Sequence, residues 1–248
     1  MKAMKFMMAA VVAVFMGTTL TSCLDSDGGT YSDGFGWYEV SEGGIFGGVI
    51  LRDDNRDITL VPQNPSKLLY SSGTEYPKHI YAAFSFPEGD PGFVDGKTSY
   101  DVIIDNWSDV FVKNLCNPDT LTHTNSAIRS FEEGYTWASH SYLTLEFTAP
   151  RLTNTSLEHF DAYPVSAEGN VLYMKFNQNQ EVKSGTELSA KGMVSFKLPH
   201  KMEIISKFPE LEFFGSSNDS VYVVVTADTY GNEDTKLESK KLKVRLRQ

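Results

Sequence analysis

The chain has 248 residues, 41% of them hydrophobic, and a formal net charge of −10 at pH 7. That length lets a hydrophobic core hold the fold together and leaves room for two domains. The acidity argues against a generic binder of nucleic-acid backbone, whose affinity comes from neutralised phosphates.

The first residues read as a targeting device. Lys2 and Lys5 give a short positive start, and the apolar run over residues 6–16 follows. That run is too short for a spanning helix, which needs ~20 apolar residues, and it fits the apolar region of a signal peptide. Leu20-Thr21-Ser22-Cys23 comes next and resembles the lipobox of bacterial lipoproteins. In that motif the cysteine thiol takes the lipid, Ser22 is small enough for the peptidase pocket, and Leu20 fills an apolar pocket beside it. Residues 1–22 are therefore expected to be removed and Cys23 to be lipidated, with palmitate among the chains. An ordinary cleavage site prefers an A-x-A-like pair, which Leu20 and Ser22 fit poorly. Two or more acyl chains make anchoring stable. Loss of Lys2 and Lys5 takes the net charge to −12. With Cys23 carrying lipid, Cys116 is left alone and no intrachain disulfide can form.

Residues 23–36, rich in Gly, Ser and Asp, read as the lipidated cysteine and a flexible tether. Strand signals begin at Trp37. Runs over 45–51 and 56–61 flank the polar cluster Arg52-Asp53-Asp54-Asn55, as in a hairpin. Further strands are expected at 79–86 and 98–104, with a fifth starting at Val110. Five short strands suit a small barrel over 37–116. Residues 117–134, polar and carrying Pro118, read as a linker. Runs at 141–147, 157–162, 171–176, 193–198, 221–226 and 242–246 then predict an antiparallel sandwich over 135–248, with one short helix between 199 and 211.

The order of these pieces resembles the NigD-like lipoproteins. Cys23-Leu-Asp-Ser-Asp27, Tyr31-Ser32 and Trp37 look like the amino-terminal half of that family. Tyr142-Leu-Thr-Leu-Glu-Phe147, Leu172-Tyr-Met-Lys-Phe-Asn-Gln178 and Val194-Ser-Phe-Lys-Leu198 look like the other half. The resemblance implies an all-β protein, with a small OB-like barrel followed by an immunoglobulin-like sandwich, on an outer-membrane lipoprotein of Gram-negative bacteria. It implies no activity that transfers residue by residue. The tail after His200 is longer than the family pattern, and Gly43, Gly44, Gly47 and Gly48 leave the first expected barrel strand bare.

Local motifs offer little chemistry. There is no G-x-S-x-G, S-x-x-K or H-E-x-x-H. Ser189-Ala190-Lys191 is an S-x-K expected in a polar turn. His159 and Asp161 are expected to share an exposed strand face. Asp53, Asn55 and Asp57 mimic the start of a calcium loop, but Ile58 stands where glycine is required, so a turn is the better reading. Lys241, Lys243, Arg245 and Arg247 form a basic face, read as charge protection of an edge strand.

The aromatic residues Trp37, Tyr38, Tyr70, Tyr76 and Tyr81 are the candidate binding residues, because OB barrels bind oligomers across one sheet face. The expected function is a non-enzymatic binding or assembly module for a protein or polysaccharide of the cell envelope, lipid-anchored, with no cofactor, no metal and no nucleic-acid partner. Its periplasmic or cell-surface placement is left open. The alternatives are a structural envelope lipoprotein without a small-molecule ligand, or a hydrolase with a loop-built site.

Overall fold

The computed structural model describes residues 32–42, 48–123, 128–132, 136–139, 141–150, 157–179, 189–230 and 232–246. The leader, the lipobox and Cys23 lie outside the described residues, as do Gly43, Gly44, Gly47, His140 and Arg247.

The first body is a closed barrel. Its strands are β1 (Gly34–Glu42), β2 (Val49–Asp53), β3 (Thr59–Pro62), β4 (His79–Ser85) and β5 (Ser99–Asp109). They follow the order β1-β2-β3-β5-β4, and β4 pairs back onto β1. This is the five-stranded Greek-key arrangement of an OB-like barrel. Only the β3–β5 pair is parallel. Alternation explains the strands: Ile80, Ala82 and Phe84 of β4 and Tyr100, Val102 and Ile104 of β5 point inward and are buried. Leu68, from a 3-10 turn at Pro65–Leu68, adds to the same core. Burying each large apolar side chain contributes roughly 1.5–3 kcal/mol.

In the barrel, two assignments of the sequence reading change. Gly34–Gly36, expected in the tether, belong to β1. Glycine is needed there because a Cβ on Gly34 would lie 2.5 Å from the Phe84 ring, and one on Gly36 would lie 2.8 Å from the Tyr38 hydroxyl. The strand expected from Val110 is not in the barrel. β5 runs on to Asp109, and β6 (Val112–Asn114) pairs in parallel with β12 (Ser189–Lys197) of the second body. The chain thus leaves the barrel at Val110 and Phe111.

The second body packs two sheets. One is ordered β10 (Phe160–Glu168), β11 (Val171–Gln178), β13 (Ser220–Thr229) and β14 (Asn232–Glu238), with β15 (Leu242–Arg245) also on β13. The other is ordered β6, β12, β9 (Tyr142–Pro150) and β7 (Ser130–Phe131), with β8 (Trp137–Ala138) also on β9. Pairing is mostly antiparallel, with β11–β13 and β6–β12 parallel. Within the stretch 117–134, Ile128 is fully buried in this core and Ser130–Phe131 pair with β9. Phe147, Phe160 and Phe176 pack ring to ring at 4.7–5.7 Å in the middle of the core. The expected helix is α1 (Lys201–Lys207), which buries Ile204. Among the described residues no helix is long and apolar enough to cross a membrane.

Each of the remaining sequence motifs has a definite place in the fold. Asp53 accepts from the backbone N–H of Asn55 and Arg56 at 2.8 and 2.9 Å and is gripped by the Arg56 guanidinium at 2.7 and 3.0 Å. That is an Asx-type turn closing the β2–β3 hairpin. His159 and Asp161 do not share a strand face. His159 ends a 3-10 turn, whereas Asp161 sits in β10 and accepts from Lys113 Nζ at 2.6 Å. Ser189 and Lys191 lie within β12 rather than in a turn, and Lys191 pairs with Glu132 at 2.9 Å. Among the described residues β15 pairs with β13 alone, with Lys243 and Arg245 outward and Leu242 and Val244 buried, as its alternation predicted.

Candidate functional site at the joint of barrel and sandwich

The five candidate aromatics separate into three environments. Trp37 and Tyr81 are cross-strand partners on β1 and β4, with ring centroids 4.8 Å apart, on the outer barrel wall. Tyr38, the next residue, points inward and is fully buried. Its hydroxyl is pushed well above the usual tyrosine range by burial and then by the Asp53 charge. It cannot meet a partner. Tyr70 donates to Asp109 at 2.7 Å and packs against Trp107 at 5.9 Å, and Tyr76 lies half-buried against the barrel core.

Two residues missed in the sequence complete the outer cluster. Phe35, two positions before Trp37 and on the same face, is 57% exposed and lies 6.1 Å from Tyr81. Trp137, from β8 of the second body, packs on Trp37 at 4.7 Å. The i, i+2 spacing of Phe35 and Trp37 was a usable signal once Gly34 and Gly36 are read as inward positions. Trp137 gave none, being a hundred residues away. Burial raises the Tyr81 hydroxyl to about 12, so it is a neutral donor at physiological pH.

Behind this wall runs a buried polar relay that no local motif announces. Trp137 Nε1 donates to Asp54 Oδ2 at 2.9 Å. The same oxygen is 2.8 Å from His79 Nε2, and His79 Nδ1 is 2.9 Å from Ser195 Oγ. Ser195 Oγ is in turn 2.7 Å from Thr144 Oγ1. An ionised carboxylate only accepts, so Nε2 carries a proton; in the neutral ring Nδ1 then accepts from the Ser195 hydroxyl. The His79 ring stacks on Tyr142 at 4.7 Å and 17°. Nearby, Ser141 donates to Glu39 at 2.6 Å.

Ser195, His79 and Asp54 have the residue types of an acyl-transfer triad. Their arrangement differs: the hydroxyl is on Nδ1 and the carboxylate on Nε2. Ser195 and His79 have no exposed surface, and the second contact of Ser195 Oγ is another hydroxyl. No substrate atom can approach this oxygen. The relay's residues come from both bodies, so its evident work is to join them.

Beside the relay, a cleft of about 750 Å³ opens between the bodies, lined by barrel residues such as Arg52 and Arg56 and by Asp219 and Arg245 of the sandwich. A further cleft of about 340 Å³ shares Arg56 and Arg245 and adds Asn55 and Lys243.

No protein-family model and no curated protein matches this sequence. Solved structures do match its fold. A Parabacteroides distasonis protein named as toxin-related aligns with a TM-score of 0.53 and 17% identity, over 84% of this chain and 91% of that one. A Bacteroides vulgatus protein of unknown function aligns at 0.51 and 16%, over 82% and 87%. The similar structures also include a NigD-like immunity protein from Bacteroides caccae, at 0.45 and 13%, over 84% and 93%. These likenesses are of the all-β fold.

Proposed function

We propose that this chain is a lipid-anchored outer-membrane protein whose β body is a non-catalytic binding or assembly module, meeting a protein or polysaccharide of the cell envelope through the outer wall of β1 and β4. The observation that carries this reading is Phe35, a large aromatic side chain 57% exposed beside Tyr81 and Trp37. Rings gathered on a barrel wall supply rigid contact area at low entropic cost, as in known interface anchors. The lipobox supports the anchoring. An anchor also concentrates weak sites in two dimensions, where they act together by avidity.

A photo-reactive phenylalanine analogue at position 35 tests the reading in intact cells. It should form a specific cross-link that the same analogue at Asp101, exposed elsewhere on the barrel, does not. Equal or absent cross-linking at both positions sinks the proposal. For the anchor, labelled palmitate should enter the wild type and not Cys23→Ala.

A further inference from the structure

The two clefts at the joint form one groove, since both are lined by Asp54, Arg56, Asp57, Ser139 and Arg245. Its charges are unevenly engaged. Asp53 is held by Arg56, Asp54 by His79 and Trp137, and Asp219 by Arg245 at 2.7 Å. Among the described residues, neither Arg52 nor Lys243 has a carboxylate partner. Among the described residues, the side chain of Lys243 makes a cation–π approach of 5.7 Å to Phe214. Arg56 and Arg245 line both parts of the groove and keep 46% and 44% of their side chains exposed. Asp57, 83% exposed and 3.8 Å from Arg245, adds an accessible acceptor. Thr59, Thr98, Ser99 and Ser139 line the groove as well.

Such a lining sets terms for a ligand. Arginine forks suit carboxylates and phosphates, which they grip in two-point fashion. A phosphodiester backbone offers the groove only acceptors, and Asp57 would repel it. A ligand with spaced acid groups on a hydroxyl-rich chain satisfies both kinds of partner: acids on the cations, hydroxyl donors on Asp57. The volume, about 750 Å³ in the larger part, is within the usual ~300–1,000 Å³ of ligand pockets.

We propose that this groove binds an acidic oligosaccharide, one carrying carboxylates along a sugar chain, with Arg52 and Lys243 as its outer anchors. The site is separate from the aromatic wall and does not rest on the function proposed for it.

The test is a titration of the full-length protein in detergent with trigalacturonic acid, neutral maltotriose and a thymidine oligonucleotide. Trigalacturonic acid should bind at least tenfold tighter than either of the others and weaken with salt. Arg52→Gln and Lys243→Gln should each weaken it about tenfold, the loss of one charge-assisted contact of about 1.4 kcal/mol. Both side chains are exposed, so the fold should survive. Phe35→Ala should leave this binding unchanged, which separates the groove from the wall. Maltotriose or the oligonucleotide binding as well as the acidic sugar overturns the proposal. So does retention of full affinity in the double variant, or its loss in Phe35→Ala.

Discussion

His79 and Ser195 lie 116 residues apart in the chain, yet His79 Nδ1 and Ser195 Oγ meet at 2.9 Å with no exposed surface on either residue. One belongs to the barrel and the other to the sandwich, so the contact forms only when both bodies are folded and docked. Its energetic weight comes from Asp54, a carboxylate whose side chain is 1% exposed and which lies 2.8 Å from the donating His79 Nε2. Removing one partner of a buried pair leaves an uncompensated charge, which is far costlier than the net worth of the pair. His79→Ala should therefore lower the unfolding free energy by about 3 kcal/mol, read from urea denaturation. A loss below about 1 kcal/mol would mean that water reaches Asp54 and that the relay is not the joint.

The start of β1 gives a steric prediction. A methyl group on Gly34 would sit 2.5 Å from the tip of Phe84, itself fully buried in the barrel core. Overpacking of this kind costs about 1–3 kcal/mol. Gly34→Ala should lose that much stability, whereas Gly48→Ala, with nothing within 4 Å of the added carbon, should be close to neutral. Equal effects from the two would show that β1 yields at its entry.

The same glycines show why the barrel was only partly legible. β4 and most of β5 were read correctly because Ile80, Ala82 and Phe84, and Tyr100, Val102 and Ile104, alternate strictly with outward residues. At Gly34 and Gly36 the inward positions hold no side chain, so the alternation vanished and the strand looked like tether. The far half of β5 hid for another reason. A bulge opposite Ala83 and Phe84 breaks its register, and Asp105 and Asn106 interrupt the apolar pattern. β14 was missed because its polar sequence, Asn232–Glu238, carries little apolar periodicity, although Leu237 packs against the core. The relay was illegible in principle: Asp54, His79, Trp137 and Ser195 are joined by tertiary packing alone. Of the candidate site, Trp37 and Tyr81 were readable from their strands. Tyr38 was one residue out of phase with its neighbour, which decides between wall and core.

Glu146 supplies a pH prediction. Burial raises its carboxyl above the ordinary glutamate value, Lys191 pulls the other way, and its Oε2 has no hydrogen-bond partner among the described residues. A carboxyl raised on folding is harmless while protonated in both states. It penalises the fold once the unfolded chain ionises, so stability falls as pH rises from about 4.3 through the folded value. Glu146→Gln removes that penalty. The variant should be more stable than wild type at pH 7, and the gap should close as pH drops below about 4. A gap independent of pH would assign the effect to packing rather than charge.

Cys116 provides a chemical probe of the second body. Its thiol is half-buried in a cleft beside α1, and burial followed by the Asp161 charge pushes it up to about 11 from 9.0, with Lys113 opposing. The thiolate is the reactive form, so a rise of this size leaves about a hundredfold less nucleophile at pH 8. With Cys23 lipidated, the mature protein should show one titratable thiol. That thiol should react with iodoacetamide about a hundredfold more slowly in the folded protein than in urea. Asp161→Asn should accelerate the folded reaction, because it removes a negative charge and frees Lys113, whose Nζ lies 2.6 Å from Asp161 Oδ1. The unfolded rate should be the same in both proteins. Alkylation of folded wild type as fast as in urea would mean that this cleft opens to solvent and that β10 does not hold Asp161 where the structure places it.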